Sequence, residues 1–173
     1  MQEKLHEECG VFGIYDNDNL DVVTSAYLAL YALQHRGQES CGIAVNDDGV
    51  IRSYRDLGLV TDVFKPCLLY IRHVKGQMAI ANNGVVLNAY ELRQKLELQG
   101  AIFHSTSDAE LIAHMITRER LTASSIEEAI CNAMDKLYGT YSMLVMSPKK
   151  LIGVRDPLGM RPLSIGKCEN SYV

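Results

Sequence analysis

The order of elements in this chain predicts an α+β fold, antiparallel sheets packed against helices. Strand-like runs gather around a hairpin turn in the first half. Helical patterns then form a block between about residues 88 and 137, and strands return after it. A parallel array would instead alternate strand and helix throughout. The length of 173 residues, with 47 % apolar and 22 % charged side chains, suits one domain with a substantial core, and no linker divides it.

The elements follow in order. Gly10 to Tyr15 reads as a short apolar strand. Apolar residues at 22, 23, 26, 27, 30 and 33 predict a helix over Asp21 to His35 with one buried face, stopped by Gly37. Cys41 to Val45 and Val50 to Tyr54 flank the turn Asn46-Asp47-Asp48-Gly49. Gln77 to Ala81 is a strand that runs into a turn at Asn82-Asn83-Gly84. Asn88, with Glu91 completing a capping box, opens a helix to Gln99 that Gly100 ends. Helices follow from about Asp108 to Arg118 and from Ser125 to near Leu137. The last strands are Tyr141 to Met146, Leu151 to Val154 and Pro162 to Ile165.

Composition narrows the function classes. A net charge of −4 without a long basic run argues against a nucleic-acid partner. No apolar stretch is long enough for a membrane helix. Five cysteines, at 9, 41, 67, 131 and 168, form no CxxC pair and have no histidine at zinc-finger spacing, which predicts a reduced, cytoplasmic protein without a metal site. The first eight residues are polar, unlike a secretory signal, and read as a short propeptide.

Cys9 is the most informative residue. It stands after that leader and before Gly10-Val11-Phe12-Gly13-Ile14. With residues 1–8 removed, Cys9 carries both a thiol, of ordinary pKa about 8.5, and an α-amine, about 8, that can serve as its base. A buried structural cysteine is the plainer reading of the position alone. Further polar constellations follow. In Gln34-His35-Arg36-Gly37-Gln38-Glu39-Ser40, Arg36 beside Gly37 can present a guanidinium where backbone approaches closely. Asn83-Gly84 can give one oxygen an amide side chain and a backbone N–H. Ser105-Thr106-Ser107-Asp108 offers hydroxyls and a carboxylate, or simply a helix cap. Arg155 to Leu163 is a loop with two arginines and two prolines.

The order of four of these segments resembles the glutaminase domain of N-terminal-nucleophile glutamine amidotransferases, in the amidophosphoribosyltransferase family. The segments are Cys9 to Ile14, Leu33 to Ser40 (LQHRGQES), Gly100 to Asp108 (GAIFHSTSD) and Arg155 to Leu163 (RDPLGMRPL). The resemblance implies an αββα sandwich of two antiparallel sheets with helices outside, incomplete at its C-terminus, and a glutaminase domain over 9–173. It implies Cys9 as nucleophile and Asn83 with Gly84 as oxyanion donors. Arg36 and Gly37 would line the glutamine pocket, and Asp108 would pair with the substrate ammonium. Ammonia from glutamine would serve phosphoribosylamine formation in purine synthesis.

The departures carry expectations of their own. The family's Gly-His-x-Arg-Tyr-x-Thr loop, whose arginine grips the glutamine carboxylate, has no counterpart between Asp62 and Tyr70, and Arg72 matches the stretch after it. The family's His-Asn-Gly-Asn reads Asn82-Asn83-Gly84-Val85 here. The phosphoribosyltransferase half is absent, and with it phosphoribosyl pyrophosphate binding, Mg²⁺ and the iron–sulfur cluster of some members. No cofactor is therefore expected in this chain, while the family forms homo-oligomers. The alternative reading is an inactive remnant or a glutamine- or partner-binding module of the same fold.

Overall fold

The computed structural model describes residues 10–16, 22–37, 39–63, 71–73, 76–168 and 170–173, with the side chains of 71–73 and 76 set aside. The leader, Cys9, Cys67 and most of the Asp62–Tyr70 junction lie outside the described residues.

The centre is an antiparallel sheet in the order β4-β5-β6-β7, made of Ile71–His73, Gly76–Val86, Gly139–Met146 and Leu151–Arg155. Strand alternation sends successive side chains to opposite faces. On one face stand Met78 and Val86 of β5, Tyr141, Met143 and Val145 of β6, and Val154 of β7, all buried. They pack against α3 (Ala89–Glu97), α4 (Asp108–Glu119) and α5 (Ile126–Met134), through Leu92 and Leu96, then Leu111, Ile112, Met115 and Ile116, then Ala129, Ile130 and Ala133. The i, i+3/i+4 spacing of these residues gives each helix one apolar stripe.

The other face looks toward the hairpin of β2 (Ser40–Asp47) and β3 (Val50–Leu57), where the Gln77 side chain accepts the Ile51 N–H at 2.6 Å. Beyond the hairpin lie α1 (Val22–Leu33) and the short α2 (Val60–Val63). Helices, sheet, sheet and helices follow one another, as the αββα expectation required. A small third sheet, in the order β1-β9-β8, joins Tyr15–Asp16 to Ser171–Tyr172 and Lys167–Cys168.

Several local expectations are corrected. The hairpin turns on only two residues, Asp48 and Gly49 (φ 47° and 84°), so both strands are longer than their apolar cores. Gly10 to Ile14 is not a strand: its backbone pairs with no sheet, and β1 begins at Tyr15. Asn82-Asn83-Gly84 is not a turn, because β5 runs through it in unbroken register with β6 to Val86. Asn88 makes no side-chain cap; its amide donates to Lys136 O and its oxygen accepts the Tyr138 N–H, tying the start of α3 to the start of β6. Pro162 to Ile165 forms no strand, since proline has no N–H for a ladder. The first helix ends at Leu33 in a single 3-10 turn over Gln34–Arg36, and none of its residues is fully buried.

Candidate active site

β5 carries the site. The register sets Asn83 opposite Ser142 and Gly84 opposite Tyr141. Asn83 is only 6 % exposed. Alternation puts it on the inter-sheet face, the face of Leu144, which stands two residues beyond Ser142 on β6. Gly13 rests on that face, its missing Cβ position 2.9 Å from Leu144 Cδ1 and 3.1 Å from Leu151 Cδ2. Three residues earlier, Gly10 abuts the Leu33 side chain at 3.4 Å. The segment that follows Cys9 thus runs over the Asn83 side of the sheet and starts beside the last residue of α1. From there the chain enters Gln34–Arg36 and Gly37, so the Arg36 loop begins beside Gly10. Gln34 anchors this loop by accepting the Val60 N–H at 3.2 Å. Gly37 is extended (φ −167°), a backbone open to any residue.

Gly84 is required by its surroundings. A Cβ there would lie 2.0 Å from Thr140 O, and its φ is 155°. Its N–H direction follows from the ladder. Leu87 N–H donates to Tyr138 O, so odd-numbered residues of this stretch of β5 bond toward β6 and even-numbered ones toward the opposite edge. Among the described residues, β4 covers that edge only as far as Met78. Two residues beyond Gly84, the Val86 N–H donates to Asp108 Oδ2 at 2.8 Å, on the same open edge.

Asp108 opens α4, whose cap is Ser107: its Oγ accepts the Ala109 N–H. The loop before it is braced from two sides. Arg93 of α3 donates to Ser105 O and Ser107 O and lies 4.5 Å above the Phe103 ring. Glu110 accepts from the backbone N–H groups of His104 and Ser105 and from Ser105 Oγ. Partial burial pushes the Glu110 carboxyl up, but these bonds and nearby His114 outweigh it and hold the group below the usual range. Between the open edge and this loop lies a hollow of about 320 Å³, lined by Asn82, Gly84, Thr106, Ser107, Asp108 and Ala109. A second, larger hollow of about 420 Å³ sits between α3 and α4 on the outer helical layer, contains none of the sequence-derived site residues, and includes the Lys136–Glu119 pair.

The arginine-rich loop supports the strand rather than facing the hollow. Asp156, 3 % exposed, accepts N–H bonds from Leu158, Met160 and Arg161. Desolvation raises its carboxyl, and those bonds more than reverse the rise. Arg155 donates to Arg161 O and Gly159 O. The buried Ser142, opposite Asn83, donates to Pro162 O at 3.1 Å.

Comparison with known proteins decides the family. Residues 70–173 match the model of the glutamine amidotransferase domain. This chain belongs to that family. The glutamine amidotransferase domain here is 44 % identical to an amidophosphoribosyltransferase of Methanocaldococcus jannaschii over 95 % of this chain and 41 % of the relative, and 35 % identical to one of Bacillus subtilis over 98 % and 41 %. The chain thus spans about two fifths of the relatives it matches. A solved glutamine phosphoribosylpyrophosphate amidotransferase from B. subtilis, complexed with ADP and GMP, superposes with a TM-score of 0.85 at 34 % identity, over 95 % of this chain and 41 % of that one. A structure described as the allosteric regulatory enzyme of purine biosynthesis gives 0.84 at the same identity and coverage. The alignments to M. jannaschii and B. subtilis run over 194 and 198 residues, more than the 173 present, so the relatives carry residues this amidotransferase domain lacks.

The structure brings Gly84 and Asp108 to one hollow, with Asn83 adjacent on the inter-sheet face. Reading the sequence alone overlooked three supports of the site. Glu110 is the first, although with the cap residue Ser107, which the sequence did mark, it makes a capping-box pattern. Arg93 and Ser142 left no local signal, because their partners are 12 to 20 residues away. Among the described residues, no cluster of three His, Cys, Asp or Glu is placed to hold a metal ion, and no helix is long and apolar enough to cross a membrane.

Proposed function

We propose that this domain releases ammonia from glutamine, as the glutaminase portion of an amidophosphoribosyltransferase. The observation that carries the reading is the open edge of β5, where the Gly84 N–H direction and the Asp108 carboxylate share one hollow beside Asn83. Cys9 Sγ attacks the side-chain amide carbon of glutamine, and its α-amine takes the thiol proton. The tetrahedral oxygen accepts from Asn83 Nδ2 and the Gly84 N–H. The amine returns the proton to the departing nitrogen, ammonia leaves, and a glutamyl thioester remains. Water then attacks the thioester, glutamate departs and the thiol re-forms. Asp108 holds the substrate ammonium, and Arg36 and Gly37 line the approach.

The ammonia would be passed to a phosphoribosyltransferase partner or domain for phosphoribosylamine formation from phosphoribosyl pyrophosphate, within purine synthesis. Mg²⁺ and any iron–sulfur cluster belong to that other half. The test is ammonia release from glutamine by the purified chain, with Cys9→Ser as control. Release that disappears in the variant supports the reading, and no release from a chain that begins at a free Cys9 overturns it. A second reading, an inactive domain that only binds glutamine, is favoured by the residues that relatives have and this chain lacks.

A further inference from the structure

The hollow contains a buried polar group that the reaction above leaves idle. Asn82 lines it, two residues before Gly84. Its Oδ1 is shut off from solvent and has no hydrogen-bond partner. Alternation places Asn82 on the helix-packed face of β5, in line with Met78, Ile80 and Val86. At such a position an apolar side chain is the favourable choice, and a buried amide oxygen without a donor is unfavourable in the empty fold.

The rest of the lining says which donor is missing. Asp108 is the charged residue of this lining, and no cation among the described residues pairs with it. One of its oxygens already takes the Val86 N–H. Ser107 Oγ is engaged in capping α4. Beside the Gly84 N–H and the Thr106 hydroxyl, the lining holds two acceptors in need of a donor, the Asp108 carboxylate and the Asn82 amide oxygen. The complementary group is an ammonium, with three donors and no acceptor. The terminal torsion of an asparagine is soft, so rotation about it can present Oδ1 to a donor in the hollow.

We propose that Asn82 Oδ1 is the second acceptor, beside Asp108, for the α-ammonium of the amino-acid substrate. The inference rests on the glutaminase reading of the same site. It makes the ammonium end the principal handle by which this domain selects its substrate, so amino acids are preferred over their deamino analogues.

The experiment titrates glutamine and glutaramate, which is glutamine without its α-amino group, into the whole chain and into Asn82→Leu and Asn82→Ser. The wild type should prefer glutamine. Asn82→Leu should weaken glutamine about 10- to 100-fold, the loss of a bond to a charged donor, and leave glutaramate unchanged. With the orphaned oxygen gone, it should also melt a few degrees higher without ligand, on the order of the shift expected for one buried polar group. Asn82→Ser removes the amide without filling the space and must show the same selective loss, which keeps the test open should the leucine variant not fold. Unchanged glutamine affinity in a folded variant, or an equal loss for glutaramate, overturns the proposal while leaving the glutaminase reading intact. A wild-type chain that binds neither ligand overturns both.

Discussion

Asp108 holds Val86. The carboxylate of the first residue of α4 accepts the N–H of the last residue of β5 at 2.8 Å, and so fixes the helix N-terminus to the uncovered edge of the sheet. The bond does two things at once. It satisfies a strand N–H that no strand among the described residues reaches, and it parks a negative charge next to the hollow that contains Gly84.

The bond separates shape from charge in a mutation. Asp108→Asn keeps an oxygen for the Val86 N–H, so the fold should survive with a stability loss of about 1 kcal/mol or less, the helix-terminus charge effect. Glutamine binding should fall ~10–150-fold, the loss of a charge-assisted contact worth 1.5–3 kcal/mol. Arg72→Ala should change little. Calorimetry on both variants checks this, and tight glutamine binding that Arg72→Ala destroys would reverse the assignment.

Gly84 should tolerate no side chain. A Cβ 2.0 Å from Thr140 O forces β5 and β6 apart, at a φ that L residues rarely adopt. Gly84→Ala should therefore cost about 3 kcal/mol or more, from overpacking and backbone strain together. A urea melt of the variant within about 1 kcal/mol of the wild type, on the order of an ordinary surface substitution, would show that β5 and β6 accommodate a side chain at this position.

Acid should loosen the loops that flank the site. The Glu110 and Asp156 carboxyls both lie below their ordinary values of 4.5 and 3.8. A depressed native pKa means the unfolded chain binds protons more readily. The stabilisation is therefore complete above the ordinary value and is lost as pH falls through the depressed one. Melting temperature should decline below about pH 4.5, the ordinary Glu110 value, and Glu110→Gln should flatten the upper part of that decline. A variant whose melting temperature falls as steeply as the wild type would assign the acid sensitivity to other groups.

Cys9 should be the reactive thiol. A diazo-ketone analogue of glutamine should label Cys9 and spare Cys67, Cys131 and Cys168 as well as Cys41, whose thiol is pushed up by burial and by Asp56. Intact mass should show loss of residues 1–8. Ammonia release by a chain that quantitatively retains its leader would rule out the α-amine as the base.

The sequence by itself determined the elements whose signals are local. The stripe of Leu111, Ile112, Met115 and Ile116 announces α4, Ser125 with Glu128 announces the start of α5, and Asp48-Gly49 announces the hairpin. Periodicity and capping act within a few residues, so they can be read without knowing the fold. Asn82-Asn83-Gly84 shows where that stops. As a local pattern it is a turn, but its structure depends on β6, more than fifty residues away, whose ladder carries the strand straight through. Only the tertiary structure could decide that Gly84 serves a close approach of β5 to β6, that Asp108 bonds to Val86, and that Arg155 and Asp156 bond within their own loop. Each of these rests on a partner distant in sequence, brought close by the packing of a sheet against three helices.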